Sequence, residues 1–201
     1  MLRNTLLLLI VFLIACNRKP QLNASVSSKP VILLQPLSYT DKATLDFLKD
    51  TLEQFYPVTV VIAKNLKLPA HAYYKPRNRY RADSIIFWLK TNKQPQYRSV
   101  VAVTNSDVSV SKSGKEDFGV MGLGYKPGPA CVISTYRLKP TAKNARHLRE
   151  RFFKVVAHEM GHNFSLDHCP DQQCIMVDAE KKMKLDHVNG LCKRCKQKIR
   201  I

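Results

Sequence analysis

The last quarter of the chain contains four cysteines and a group of three closely spaced histidines, and their spacing constrains the fold more than any other feature. His158 and His162 stand four positions apart, and residues at that offset share one face of a helix, with Cβ atoms about 5–6 Å apart. Two imidazoles on one face can bind one zinc ion, and His168 is a third candidate ligand. A helix continued to position 168 would turn that side chain away, so we expect a break near Phe164 or Ser165.

Glu159 stands beside the first histidine and supplies a group that a purely structural metal site does not need. Its carboxylate can hydrogen-bond a water on the metal and accept the water's proton. A catalytic zinc has three protein ligands and an open position, and it lowers the pKa of water toward about 7. The pattern predicts hydrolysis by metal-activated water, with Glu159 as general base and His158, His162 and His168 as ligands. Two surface histidines would explain a bare pair, but not the third histidine and the cysteines that follow.

The cysteines form two short pairs separated by a loop, Cys169 with Cys174 and Cys192 with Cys195. Paired cysteine hooks of this kind are typical of a closed, tetrahedral structural zinc site. Two disulfides are the alternative, since an exported protein permits them. The spacing favours zinc, so we expect two zinc ions per chain, one catalytic and one structural. Cys131 stands apart in an apolar run and is expected to be a buried thiol.

The N-terminus has the pattern of an export signal. The apolar run at residues 6–14 is short for a membrane span. The tetrad at residues 13–16, Leu-Ile-Ala-Cys, resembles the lipobox of bacterial lipoproteins, which implies cleavage before Cys16 and lipidation of its thiol. We expect a signal peptide at 1–15, a lipidated cysteine and flexible tether at 16–29, and export to a bacterial membrane, on its periplasmic or cell-surface face. A plain signal peptide with an incidental cysteine is the alternative.

Residues 30–201 suffice for one domain with a hydrophobic core. The sequence predicts irregular structure at residues 65–80. Apolar runs predict strands at 31–37, 58–63, 99–104, 118–123 and 131–138, and helical spacing predicts helices after Thr40, near 82–92 and from Pro140–Thr141 through the histidine pair. The alternation favours a single α/β (α+β) domain with a twisted mixed sheet, three main helices and a zinc-stapled C-terminal segment.

The chain carries 33 Lys and Arg against 15 Asp and Glu, a formal net charge of +18. This excess of positive charge bears on which partners the protein can bind, and not on its fold. No nucleic-acid-binding motif accompanies it, so we expect a solvated basic surface and no nucleic-acid partner. We also expect a monomer.

The segment from His158 to Cys169, followed by Cys174-Ile175-Met176 and the Cys192–Cys195 hook, resembles the archaemetzincins, zinc peptidases of the metzincin clan. The resemblance implies a metzincin-like fold, peptide or protein substrates, three histidine ligands, Glu159 as base and a four-cysteine zinc site. It also implies that Met176 is the Met-turn residue beneath the catalytic zinc.

The resemblance carries two further implications. The family pattern has glycine where this chain has Ser165, at a turn where positive φ is common, so this turn should be strained by about 1–2 kcal/mol. The short, glycine-punctuated segment at residues 120–124 is the candidate edge strand for an extended peptide. Two other functional classes remain open: a lipid-anchored, zinc-stabilised binding module without catalysis, and a basic protein that binds membranes or nucleic acid.

Overall fold

Two β-sheets and four α-helices make up the part of the chain that the structure describes, residues 29–112, 114–178 and 184–201 of a computed structural model. The helices are α1 Lys42–Phe55, α2 Ala82–Asn92, α3 Ala145–Asn163 and α4 Lys193–Lys198. The strands are β1 Val31–Pro36, β2 Thr59–Ile62, β3 Tyr73–Tyr74, β4 Arg79–Arg81, β5 Ser99–Thr104, β6 Val108–Lys112, β7 Lys115–Val120, β8 Gly122–Gly124 and β9 Ala130–Ser134. This confirms the mixed α/β class.

The larger sheet has the strand order β2-β1-β5-β9-β8. Its first four strands are parallel, and β8 runs antiparallel to β9 at the edge. Every residue of β5 and β9 is buried, as expected for parallel strands covered on both faces. The predicted strand at 99–104 is β5 itself, whereas the strand predicted at 131–138 ends at Ser134 and continues as a turn.

A second sheet, with the order β3-β4-β6-β7, accounts for two corrections to the predicted elements. The single strand predicted at 118–123 is two strands that separate at Met121, because β7 pairs with β6 while β8 pairs with β9. Residues 65–80, predicted to be irregular, contain β3 and most of β4. Strand β6 was missed, although Val108 and Val110 alternate there with serines.

Alternation along the strands divides the core into two layers. Val101 and Val103 of β5 pack in the cluster that contains α1 and α3 side chains, such as Leu48 and Phe152. Val100 and Ala102 point the other way and pack with α2. Because successive strand residues face opposite sides, the sheet lies between helices on both faces.

Two helix starts differ from the predicted ones. Asp41, not Thr40, caps α1, where its Oδ1 atom accepts a hydrogen bond of 3.0 Å from the Thr44 backbone N–H. Helix α3 begins at Ala145 with Asn144 as its cap, because Lys139–Thr141 forms a separate 3-10 turn.

The predicted signal peptide at 1–15 and the lipidation site Cys16 lie outside the described residues, as does nearly all of the tether at 16–29. None of the four described helices combines the length and the hydropathy that crossing a bilayer demands.

Candidate metal centres

The C-terminal end of α3 presents two histidines on one face. His158 is buried and His162 partly buried, and their Nε2 atoms lie 3.1 Å apart. Nitrogens bound to one tetrahedral zinc at about 2.0–2.1 Å would lie about 3.4 Å from each other. The two imidazoles therefore already have nearly the separation that a shared ion requires.

The helix ends where the sequence indicated, and the turn brings the third histidine back. Ser165 has a φ of 72°, the left-handed conformation, and the Leu166 backbone N–H donates to the Gly161 carbonyl at 2.9 Å. The ring centroid of His168 lies 4.9 Å from that of His162 and 5.4 Å from that of His158. Each of these three residues offers one ring nitrogen, and the three nitrogens lie within 4.8 Å of one another.

Backbone carbonyls orient two of the imidazoles. The Nδ1 atom of His158 lies 2.7 Å from the Ile175 carbonyl oxygen, and that of His162 lies 2.8 Å from the Leu166 carbonyl oxygen. A proton on Nδ1 satisfies each carbonyl and leaves the Nε2 lone pair for a metal. Burial lowers the pKa of His158 to about 4, and burial also lowers the pKa of His162. Both rings are therefore held neutral, as ligation requires.

Glu159 lines the same cleft as this trio and packs against β8. A Cβ added to Gly122 would lie 3.2 Å from its Oε1 atom, and one added to Gly124 would lie 3.1 Å from Oε2. Burial raises the pKa of Glu159 to about 8, although a hydrogen bond from the Gly124 backbone opposes the rise. Two glycines on the edge strand thus leave room for a buried carboxyl group beside the histidines.

Met176 packs against the C-terminal half of α3. Its side chain is fully buried, and a Cβ on Gly161 of α3 would overlap its sulfur. The Met176 carbonyl accepts a hydrogen bond of 2.7 Å from the Cys169 backbone N–H. The methionine therefore ties the helix to the segment that carries the cysteines.

The four cysteines form a second cluster. Their sulfurs lie within 4.8 Å of one another, with separations of 3.7 Å from Cys169 to Cys192 and from Cys174 to Cys195. Sulfurs bound to one tetrahedral zinc at about 2.3 Å would be about 3.8 Å apart. None of the described cysteines forms a disulfide, so the geometry and the all-sulfur donor set fit a zinc ion.

Arg194 contributes to this cluster in a way that the sequence did not indicate. Its Nη2 atom lies 3.3 Å from the Cys169 sulfur. Burial by itself would raise the pKa of Cys169, but hydrogen bonds from the Asp171 backbone, Arg194 and neighbouring thiols lower it to about 7. Cys131 lies apart from the cluster, fully buried in β9, as predicted.

A cleft of about 460 Å³ opens beside the histidines and Glu159. One wall is the backbone of residues 118–124, which includes the predicted edge strand. Lys112, Arg137 and Asp178 also line the cleft. The sequence did not indicate a place in the cleft for these three residues, because they come to it only through the pairing of separate strands and turns.

Comparison with known proteins identifies relatives of this chain. A model described as peptidase family M54 matches residues 34–201. An archaemetzincin from Methanopyrus kandleri is 30% identical over 152 residues, 75% of this chain and 83% of that protein. One from Pyrococcus furiosus is 28% identical over 181 residues, 85% of this chain and 93% of that protein.

Solved structures give the same result. The malonate complex of an archaemetzincin from Archaeoglobus fulgidus superposes with a TM-score of 0.71 at 25% identity, covering 84% of this chain and 99% of that one. The Methanopyrus kandleri archaemetzincin structure gives a TM-score of 0.73 at 26% identity, covering 87% of this chain and 95% of that one.

Proposed function

This chain belongs to peptidase family M54, the archaemetzincins, and is a zinc-dependent metallopeptidase; we propose that His158, His162 and His168 bind its catalytic zinc and that Glu159 is its general base. The observation that carries the proposal is the convergence of three imidazoles within 4.8 Å beside a buried carboxyl group. Zinc, when bound, supplies a Lewis acid that polarises the scissile carbonyl and acidifies water.

Glu159 performs the proton transfers. Burial favours the neutral form of Glu159, and a zinc ion held by the three histidines would favour the carboxylate form that accepts a proton. The carboxylate accepts a proton from the attacking water and passes it to the leaving nitrogen of the cleaved peptide bond. The hydrogen bond from the Gly124 backbone holds the carboxyl group in place during both steps.

Strand β8 positions the substrate. Among the described strands it pairs with β9 alone, which leaves its other edge available to a peptide. An extended peptide can add to such an edge as a further strand. We propose that the substrate runs antiparallel to β8, with its scissile bond over Glu159, as the packing of Gly122 and Gly124 on that side chain supports.

The cysteine cluster binds a second, structural zinc in this proposal, so each chain holds two ions. The sulfur separations of 3.7 Å support zinc over disulfides. The site has no open position, and its role is to order the segment after His168. That segment includes Ile175 and Met176, which contact α3 at His158 and Gly161.

The sequence also supports a proposal for cellular location. Residues 1–15 act as a signal peptide, Cys16 carries lipid, residues 16–29 form a tether, and the enzyme acts as a monomer on the periplasmic or outer face of a bacterial membrane. Labelled fatty acid fed to an expressing bacterium should be incorporated into the parent and not into Cys16→Ser. Absence of label from the parent would refute the lipid anchor and leave a plain signal peptide.

Metal analysis and peptide cleavage test the active site together. We expect about two zinc ions per chain in the parent and about one in His168→Ala. Glu159→Gln should keep both ions and lose about 10²–10⁴-fold in kcat, because an amide cannot accept the proton. A Glu159→Gln variant that cleaves peptides like the parent would refute the assignment of the base. Parent enzyme that cleaves no peptide would favour the binding module.

A further inference from the structure

A fixed guanidinium group forms part of the cleft wall. Arg137 lies in the turn that follows β9 and lines the same cleft as Glu159 and the histidines. Its Nε and Nη2 atoms donate to the two carboxylate oxygens of Asp107 at 2.8 and 3.0 Å. This bidentate pair fixes the orientation of the side chain, and a fixed binding group loses less freedom when a ligand binds.

A glycine on β7 provides the space for this group. Any Cβ on Gly119 would overlap the Arg137 guanidinium, so the guanidinium lies directly against the strand backbone. Gly119 itself pairs with Ser109 of β6 and also lines the cleft. The close approach places a cation where a larger residue would keep it out.

Positive charge exceeds negative charge within the ion-pair network that contains Arg137. Asp107 is shared, because the Arg79 Nε atom lies 3.1 Å from its Oδ2 atom. The connected ion pairs contain four guanidinium groups and three carboxylates, from Arg77, Arg79, Arg81, Arg137, Asp83, Asp107 and Asp117. The Nη1 atom of Arg137 makes no hydrogen bond to any residue in the described ranges. Lys112 and Asp178, which carry opposite charges, also line the cleft.

The position along the cleft follows from the strands. Gly119 and Gly122 are three positions apart, and an extended chain spans about 3.3 Å per residue, so their Cα atoms lie at most about 10 Å apart. Arg137 lies against Gly119 and Glu159 lies against Gly122, so the two side chains are about three strand positions apart. A peptide antiparallel to β8 runs from Gly124 toward Gly122, so its residues after the scissile bond approach Arg137.

We propose that Arg137 is a specificity residue that binds a substrate carboxylate within about three residues on the C-terminal side of the scissile bond. The inference rests on the proposed function and names its substrate class, peptides with Asp or Glu at such a position. A free C-terminal carboxylate of a short peptide offers the same chemistry, and the experiment separates these two sources.

The test uses matched peptides and the full zinc-loaded chain. One set carries Asp or Asn at the first, second or third position after the scissile bond and ends in an amide. A second set carries Asn and ends in a free carboxylate. We expect the parent to prefer one acidic peptide over its neutral match by about tenfold in kcat/KM, as a charge-assisted hydrogen bond allows.

Variants connect the preference to Arg137. Arg137→Gln should reduce the preference, measured as the ratio of kcat/KM for the acidic peptide to that for its neutral match, to about twofold or less. Gly119→Ala keeps every charge but displaces the guanidinium, so it should weaken the preference even if Arg137→Gln does not fold. Arg146→Gln, on the exposed face of α3, removes an equal charge and should change nothing. Binding of the acidic peptide to Glu159→Gln, measured by fluorescence anisotropy, should show the same preference without turnover.

The outcomes are distinct. If the parent cleaves acidic and neutral peptides equally, or if the preference survives both cleft variants, this inference fails and the proposed function stands. A preference confined to the free-carboxylate set assigns Arg137 to the peptide terminus, and one in the amidated set assigns it to a side chain. If the parent cleaves no peptide, the proposed function and this inference fail together.

Discussion

The Nδ1 atom of His158 lies 2.7 Å from the carbonyl oxygen of Ile175, and this contact joins the two candidate metal centres. Ile175 stands between Cys174, a member of the cysteine cluster, and Met176, which packs under α3. The position of the cysteine cluster therefore determines the orientation of a histidine in the other centre.

Cys174→Ser should consequently weaken zinc binding at both centres. Loss of one thiolate releases the segment around Ile175, and loss of an outer hydrogen bond to a ligand histidine reduces metal affinity by about 10–100-fold. Competition with a chromogenic chelator measures both affinities. Cys131→Ala removes a cysteine outside the cluster and should leave both ions bound. Unchanged affinity at the histidine centre of Cys174→Ser would show that the two centres are independent.

Ser165→Gly should stabilise the protein by about 1 kcal/mol, because Ser165 occupies a left-handed conformation that glycine adopts without strain. The free energy of unfolding of the zinc-loaded protein, measured in urea, tests this. The same substitution at Ser84, inside α2, should instead destabilise by about 0.5 kcal/mol. A destabilised Ser165→Gly variant would show that the serine side chain contributes more than its backbone costs.

Gly161→Ala should destabilise the protein even though alanine is the better helix former. Propensity alone predicts a gain of about 1 kcal/mol inside a helix, but the new methyl group would overlap the Met176 sulfur. Such overpacking costs about 1–3 kcal/mol. Urea unfolding gives the sign directly, and adding Met176→Ala should recover part of the loss. If Gly161→Ala were more stable than the parent, Met176 could not pack as closely against α3 as the structure shows.

The metal-free protein should lose stability from Glu159 as the pH rises. A carboxyl whose pKa is raised from 4.5 to about 8 by burial favours the fold while it is protonated, and this contribution is lost between those values. Between about pH 6.5 and pH 8, Glu159→Gln should therefore gain roughly 1–2 kcal/mol relative to the parent. Unfolding in the presence of a chelator measures this difference. The zinc-loaded pair is the control, and an equal gain there would contradict the role of burial.

The sequence alone was sufficient to predict the elements whose residue pattern is local. Strand β5 is a continuous apolar run, and the break after α3 follows from the need to return His168 to the face of His158. Even the strain at Ser165 could be anticipated, because the residue replaces a glycine of the family pattern.

Features that depend on distant pairing could not be anticipated. The separation of β7 from β8 at Met121 follows from partners far along the chain, since Ser134 donates to the Met121 carbonyl at 2.8 Å while Val120 pairs with Val108. Arg137 enters the cleft only because Gly119 lies opposite, and neither residue carries a local signal for that contact.

The chain passes from one sheet to the other at Met121 without leaving the cleft wall. The surface that contacts substrate side chains and the edge that aligns the substrate backbone are therefore a single covalent segment. Inserting residues into the segment 118–124 to widen the cleft would therefore also shift the register of the bound peptide relative to Glu159. Variation of substrate preference is accordingly easier through side chains that reach the wall from elsewhere, such as Arg137, than through the wall itself.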